Sequence, residues 1–326
     1  MNFTDSMLRP VRCLLQMGGF AGSGEIRALA QVAEPSVGVV TNVNPVHLEH
    51  FSSVDEIALA KRELIEGLPG DGVAVLNADD ARVRRFAECH GGRIVMFGID
   101  HEADFQAVDV ETLGARGVRF RLAGKSSAGG LPIPFNSPLA GRHNISNILA
   151  AIATASVFDI APEGLVDAIS EFRPPGMRGE ALEMGGVLFL NDCYNSNPRA
   201  VAEMLEVLRQ TRAKRRIAVL GEMLELGHDS ADWHRAIGRD VAGGGIAALV
   251  AVSGAARETA EEAVRSGLPR SAVHFFETAR EAGDFLITLL TAGDAVLFKG
   301  SRGVGLEMAL DAVLASMNVS DSRTKN

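Results

Sequence analysis

Val37-Gly38-Val39-Val40-Thr41-Asn42-Val43-Asn44-Pro45-Val46-His47-Leu48-Glu49 is the stretch that decides how this chain folds. Residues 37–43 form an apolar, valine-rich run that is too short for a helix. Asn44-Pro45 stops it, so the run reads as a buried strand with a turn at its carboxyl end. Residues 54–68 follow with helical spacing. Strand, turn and helix open a parallel βαβ unit, and in open α/β sheets ligands gather at the carboxyl ends of strands. His47 stands just past the strand, and Lys61 falls on the helix so as to face back toward it. An imidazole and an amine placed there suit a metal and phosphate site. A turn-capping His47 and a solvated Lys61 fit the same spacing, and this segment alone leaves both open.

The rhythm continues on either side. Residues 11–17 read as a strand entering the glycine-rich turn Gly18-Gly19-Phe20-Ala21-Gly22-Ser23-Gly24, followed by a helix over 25–33 with Glu25 near its positive end. Strands are expected at 72–77 and 93–97, with a helix at 82–90 between them. The region 105–135 differs. Val118-Arg119-Phe120-Arg121-Leu122 alternates with period two, Gly124-Lys125-Ser126-Ser127-Ala128-Gly129-Gly130 turns, and 131–135 resumes, which predicts antiparallel strands. Helices follow at 145–157 and 162–172. Pro174-Pro175-Gly176 marks a domain boundary. Beyond it, strands at 187–191, 216–220, 247–252, 274–276 and 295–299 alternate with helices at 198–209, 230–241, 255–266, 278–291 and 305–315. The expected class is α/β. Residues 1–175 would form a domain with a parallel sheet plus a small antiparallel sheet. A doubly wound, Rossmann-like domain would span 176–317, and 318–326 would be a flexible tail.

Composition narrows the function. The 326 residues are 47% apolar with a net charge of −9. That balance fits folded α/β domains and argues against nucleic acid as a partner, because phosphate backbones require clustered Lys and Arg. No apolar run approaches the roughly 20 residues needed to span a bilayer. With no basic-then-apolar leader, a cytoplasmic location is expected. Cys13, Cys89 and Cys193 are scattered and odd in number, which suits neither a disulfide frame nor a zinc site.

Three strand-end loops in the second domain carry chemistry. Asn191-Asp192-Cys193-Tyr194-Asn195-Ser196-Asn197-Pro198 offers acceptors for ribose hydroxyls and donors for anionic oxygens, although a cap-and-turn role fits the same residues. Leu220-Gly221-Glu222-Met223-Leu224-Glu225-Leu226-Gly227 ends the second strand. Phe298-Lys299-Gly300-Ser301-Arg302-Gly303 places cations beside backbone amides at a helix start, as an anion cradle would. All three follow strands, so all should share one rim. Gly124-Lys125-Ser126 is not a phosphate loop: that pattern needs Gly five residues before Gly124, where Arg119 stands, and its flanks are strands rather than strand then helix.

Taken together, these motifs resemble the Mur ligases, ATP-dependent amide-forming enzymes of peptidoglycan synthesis, from about residue 15 to about 315. The Asp-Cys-Tyr-Asn-Ser-Asn-Pro, Leu-Gly-Glu-Met-Leu-Glu-Leu-Gly and Lys-Gly-Ser-Arg segments are most similar to the member that adds D-Ala-D-Ala to UDP-N-acetylmuramoyl-tripeptide. The resemblance implies a Mur-ligase central domain followed by a C-terminal domain, with ATP and Mg2+ as cofactors. It implies that His47 and Lys61 are catalytic and metal-binding, with Lys61 carbamylated. It implies that His143, Asn144, Arg178 and Asp192 bind nucleotide, and that Asn195, Asn197, Lys299, Ser301 and Arg302 bind substrate. The reaction implied runs through an acyl phosphate that the amine of D-Ala-D-Ala then attacks.

The chain departs from the family at two points. No strand–Gly-Lys-Thr–helix phosphate loop occurs within these residues, nor does the N-terminal domain that grips the UDP end. Gln16 or Met17 stands where the family has a magnesium-binding Glu. The resemblance therefore implies little ligase activity for this polypeptide alone. A truncated gene, a late start or a separate polypeptide supplying the missing half would each account for it. The alternative is a non-catalytic nucleotide- or partner-binding remnant.

Overall fold

The structure is a computed structural model. It describes the backbone of residues 13–15, 22–44, 51, 53–124 and 132–324. They fall into two compact units. One comprises residues up to 110 with 120–135 and 144–169. The other comprises 111–119, 136–143 and 170 onward. The chain last changes unit at 169/170, a few residues before the expected boundary at Pro174-Pro175-Gly176. The short piece 111–119 groups with the second unit for a visible reason: Ala115 is buried in that unit's core, and its N–H donates to Thr211 Oγ1 at 2.9 Å.

The first sheet has seven strands in chain order: β1 Cys13–Leu15, β2 Val37–Val40, β3 Val73–Asn77, β4 Arg93–Gly98, β5 Phe105–Thr112, β6 Val118–Ala123 and β7 Ile133–Ser137. β1 to β5 pair in parallel. The links from β5 to β6 and from β6 to β7 are shorter than the dozen or so residues a parallel crossover needs, so these strands reverse direction, as the alternating pattern predicts. β2 and β3 are buried throughout, as expected of parallel strands covered on both faces.

Helices α1 Glu25–Ala33 and α2 Val54–Glu66 bury apolar stripes in one cluster with Val40, Leu76 and Phe86. Ser53 caps α2 by accepting from Glu56 N–H, and Asp55 and Glu56 lie in its positive first turn. Gly38 has no side chain, and a Cβ there would crowd Leu64, Ile65 and Leu68 at 3.2–3.3 Å. The α1 amino end is capped from outside. Glu63 of α2, 5% exposed, accepts from Gly24 N–H at 2.9 Å and Arg27 N–H at 3.1 Å. Short α3 Ala81–Arg85, then α4 Arg142–Val157 and α5 Val166–Glu171, complete the helices before Pro174-Pro175-Gly176.

The second sheet contains β8 Glu180–Met184, β9 Val187–Asp192, β10 Arg215–Gly221, β11 Ala248–Val252, β12 Val273–Phe276 and β13 Asp294–Lys299. Their order is β12-β11-β10-β13-β9-β8, parallel except for the antiparallel β8–β9 hairpin. Period-two alternation builds a core on each face. Leu190, Ala218, Leu220, Leu249, Ala251 and Leu297 meet α6 Pro198–Gln210, α7 Ser230–Gly243 and α8 Ala256–Arg265. Phe189, Ile217, Val219, Val250, Val296 and Phe298 meet α9 Ala279–Leu289 and α10 Glu307–Thr324. Each fully buried Phe or Leu contributes roughly 1.5–3 kcal/mol. The tail expected to be loose from residue 318 is instead helical through Thr324, because neither Pro nor Gly interrupts 306–324.

Candidate functional site

In the first unit the site centres on Lys61. The residue lies on the buried stripe of α2, four residues from Ile57 and three from Leu64, and is 6% exposed. Its Nζ donates to the Asn42 carbonyl at 2.8 Å. Burial lowers its pKa to about 8, against the opposing pull of the Asp80 carboxylate. This amine therefore keeps a larger neutral fraction near neutral pH than an ordinary lysine does. The strand-end turn that presents Asn42 is fixed from two sides. Asn77 Nδ2 donates to the Thr41 carbonyl at 2.8 Å. Asp80 accepts from Val43 N–H at 2.7 Å while capping α3 through Arg82 N–H and Val83 N–H. His47 lies outside the described residues, as do Gln16 and Met17. Among the described residues, no three His, Cys, Asp or Glu side chains are grouped to hold a metal ion.

The second unit brings the three predicted loops to one rim. β9, β10 and β13 run parallel and adjacent, so the loops after Asp192, Gly221 and Lys299 leave the same edge. Lys299 is 2% exposed, and its Nζ meets Asp192 Oδ2 at 2.5 Å and the Asn195 carbonyl at 3.1 Å. Ser301 is buried and joins all three loops. Its N–H donates to the Glu222 carbonyl at 3.1 Å, its Oγ accepts from Leu224 N–H at 2.9 Å, and its hydroxyl reaches the Ser196 carbonyl at 3.5 Å. The Ser196 hydroxyl is itself buried and has no partner among the described residues.

The remaining candidates divide between open and committed side chains. His143 lies in the first turn of α4, where Nδ1 approaches Glu203 Oε2 at 3.1 Å. Burial lowers its pKa; Glu203 and Asp192 act to raise it, and Lys299 and Arg199 to lower it, so His143 feels the charged pair on the rim. Gly141, at φ +95, permits the ring's position: a Cβ there would meet His143 Cε1 at 2.6 Å. Asn144 Oδ1 accepts from Asn147 Nδ2 at 3.2 Å. Arg178 stacks its guanidinium 3.9 Å above the Tyr194 ring centroid. Arg302 pairs with Glu307 at 3.0 Å and contacts the Met177 sulfur at 3.1 Å. Asn197 caps α6 by accepting from Ala200 N–H at 2.9 Å, and Asn195 Oδ1 accepts from Ser196 N–H at 2.8 Å. The cap-and-turn reading is thus realised at Asn197, whose carbonyl is already engaged. Gly124 ends the described part of its turn between β6 and β7; Lys125 and Ser126 lie outside the described residues.

Sequence reasoning missed Asp80, Asn77 and Glu63. The Asn77-Ala78-Asp79-Asp80 run marked a strand end, but nothing in it told a carboxylate clamping a neighbouring turn from one facing solvent. It also missed His234, whose ring is buried behind the Gly221–Gly227 loop and accepts from Met223 N–H at 3.0 Å.

Comparison with known proteins fits this architecture. The Mur ligase middle domain matches residues 18–155, and the Mur ligase glutamate ligase domain matches residues 177–302. The UDP-N-acetylmuramoyl-tripeptide–D-alanyl-D-alanine ligase of Bacillus subtilis is 28% identical over 305 residues, covering 93% of this chain and 64% of the relative. The protein of that name from Mycobacterium tuberculosis H37Rv is 34% identical over 317 residues, covering 90% of this chain and 60% of the relative. Among solved structures, MurF from Acinetobacter baumannii superposes with a TM-score of 0.82 at 26% identity, covering 94% of this chain and 71% of the other. The chain thus spans about three-fifths of the length of these curated relatives. With both domain models matching in order and the strand-end loops placed on one rim, this chain belongs to the Mur ligase family.

Proposed function

We propose that this chain carries the central and C-terminal parts of an ATP-dependent ligase that adds D-Ala-D-Ala to UDP-N-acetylmuramoyl-tripeptide in peptidoglycan synthesis. The observation that carries this reading is the rim of the second sheet. There Lys299, Asp192, Asn195 and Ser301 converge from separate loops, and the curated relatives bear that activity in their names. In this reading Asp192 receives ribose hydroxyls, His143, Asn144 and Arg178 border the nucleotide, and Asn195, Asn197, Lys299, Ser301 and Arg302 face nucleotide and peptide. The protein's own contribution is to hold the tripeptide carboxylate, the triphosphate and the incoming amine in line and to neutralise charge. Acylation through an acyl phosphate then needs no covalent group from the enzyme.

Mg2+ is a hard cation that takes oxygen donors. An ammonium cannot be its ligand, but a carbamate can. Lys61 suits carbamylation because burial favours the neutral amine that attacks carbon dioxide, and the Asn42 carbonyl fixes its Nζ. Lys61 as its carbamate and His47 would hold the ion, which would screen the phosphate charges. We place the reaction in the cytoplasm. Among the described residues no helix is long and apolar enough to cross a membrane.

The 326 residues alone should have little activity, because they contain no strand–phosphate loop–helix to cradle β- and γ-phosphates. Gln16 or Met17 in place of a carboxylate favours a second reading, a nucleotide- or partner-binding module without turnover. ADP release from ATP in the presence of both substrates separates the two. The ligase reading expects weak release from this polypeptide and robust release once the upstream portion of a relative is joined to it. Failure to recover release in the joined protein would refute that reading.

A further inference from the structure

We propose that His234 is a positioning residue that holds the Gly221–Gly227 loop in the shape by which it grips Ser301, and that it does so only as the Nδ1–H imidazole. This inference rests on the ligase reading of the rim, but its core can be tested without any ligand.

The tautomer follows from the partners. Met223 N–H can only donate, so His234 Nε2, at 3.0 Å, must be the acceptor. The Ser230 carbonyl can only accept, so Nδ1, at 2.8 Å, must carry the proton. The ring is 1% exposed, so water cannot replace either partner. Protonating the ring would aim an Nε2–H at the Met223 N–H, two donors with no acceptor between them. Burial opposes that protonation. The charged groups around the ring are Glu222 from the loop and Glu258 from α8, both of which favour the cation. Arg235 is occupied by Glu258 at 2.8 Å and Asp232 at 3.1 Å, and Arg209 of α6 by Asp240 at 2.6 Å.

The clamp reaches the rim in one step along the chain. The residue after Met223 is Leu224, whose N–H donates to Ser301 Oγ, and Glu222 before it accepts from Ser301 N–H. Glu225 sits at φ +62, a backbone state disfavoured for a side-chain-bearing residue, so the loop needs outside contacts to stay in this form. Its own contacts include buried Met223 and Leu226, 2% and 3% exposed. On the far side the clamp has a firm base. Thr259 of α8 donates to the His234 carbonyl at 3.1 Å, and Gly238 lets α7 and α8 approach closely. His234 therefore links a rigid helix pair to the loop that fixes the Lys299–Gly303 segment.

The test compares the full chain with His234→Phe, which keeps a ring but offers no acceptor, and with His234→Gln, whose carbonyl can accept from Met223 N–H yet does not titrate. Hydrogen exchange is followed by mass spectrometry on peptides covering 221–227 and 299–303, across pH and with or without Mg-ADP. Losing a buried hydrogen bond should raise exchange in the 221–227 peptide roughly tenfold or more in His234→Phe, with α8 still protected. His234→Gln should restore protection. Corrected for intrinsic rates, the wild-type loop should loosen as pH falls, and the Gln variant should not. Equal loop protection in all three proteins, or a Gln variant as loose as the Phe variant, would overturn the proposal. Mg-ADP should add protection at 299–303 in the wild type and the Gln variant and not in His234→Phe; protection that survives in His234→Phe would overturn the link to the rim. If Mg-ADP protects nothing in the wild type, the pH and rescue data still decide the clamp, and the ligase reading is decided separately by ADP release from the joined protein.

Discussion

Asp192→Ala should destabilise the second unit more than Lys299→Met, although the two residues form one ion pair. The reason is unequal burial: the Lys299 side chain is 3% exposed and that of Asp192 17%. In Asp192→Ala the ammonium stays buried with the Asn195 carbonyl as its sole remaining acceptor among the described residues. Stranding a buried charge costs about 3–5 kcal/mol. In Lys299→Met most of the stem volume is kept, and the carboxylate left behind can turn to water on its more exposed side, at a cost of ~1–2 kcal/mol. The expected gap is therefore ~2 kcal/mol. Urea unfolding followed by Trp233 fluorescence measures it, because that residue is the chain's single tryptophan and packs against the second unit's core. The double variant should resemble Lys299→Met, since no charge is stranded. Equal losses, or a greater loss in Lys299→Met, would refute the claim that the lysine is the more deeply buried partner.

Three further outcomes are expected. NMR titration of 13C-labelled lysine should show Lys61 with a midpoint near 8. Because its folded pKa lies below the unfolded value of 10.5, the unfolded chain binds more protons between those pH values; stability should rise across that window by up to ~3 kcal/mol, and Lys61→Met should lack the rise. Native alkylation at pH 8, read by mass spectrometry, should modify exposed Cys89 and spare Cys193, whose buried thiol is pushed up to about 12. Gly117→Ala should cost ~3 kcal/mol or more in thermal or urea unfolding, because Gly117 lies at φ +101 and a Cβ would collide with the Ser137 carbonyl oxygen.

Much of the architecture was legible because burial imposes period. Apolar runs such as Val73–Asn77 can only be strands in a covered parallel sheet, and the loops that end them must share a rim. β8 was not anticipated, because Glu180 and Glu183 break its apolar character on an edge strand. Yet Gly185-Gly186, both at positive φ, sits between Met184 and Val187, and a two-residue Gly-Gly link between extended runs is a hairpin signal that could have been used. Lys61 was legible only in part. Its place on the stripe with Ile57 and Leu64 follows from spacing, but its depressed pKa arises from tertiary burial that no local pattern encodes. Glu63 shows the same limit. Two residues along α2 from Lys61, it caps a helix that lies earlier in the chain.

Whether Lys61 and the Lys299 loop each take part in the proposed ligation is decided by ADP release from the chain joined to the upstream portion of a curated relative. ATP, Mg2+, UDP-N-acetylmuramoyl-tripeptide and D-Ala-D-Ala are supplied together and then one at a time withheld. Release should require both acceptor and donor substrates and should fall at least a hundredfold in Lys61→Ala, the scale of losing a group that preorganises charge at the reacting phosphate. Release that persists without D-Ala-D-Ala, or that is unchanged in Lys61→Ala, would contradict the proposed ligation.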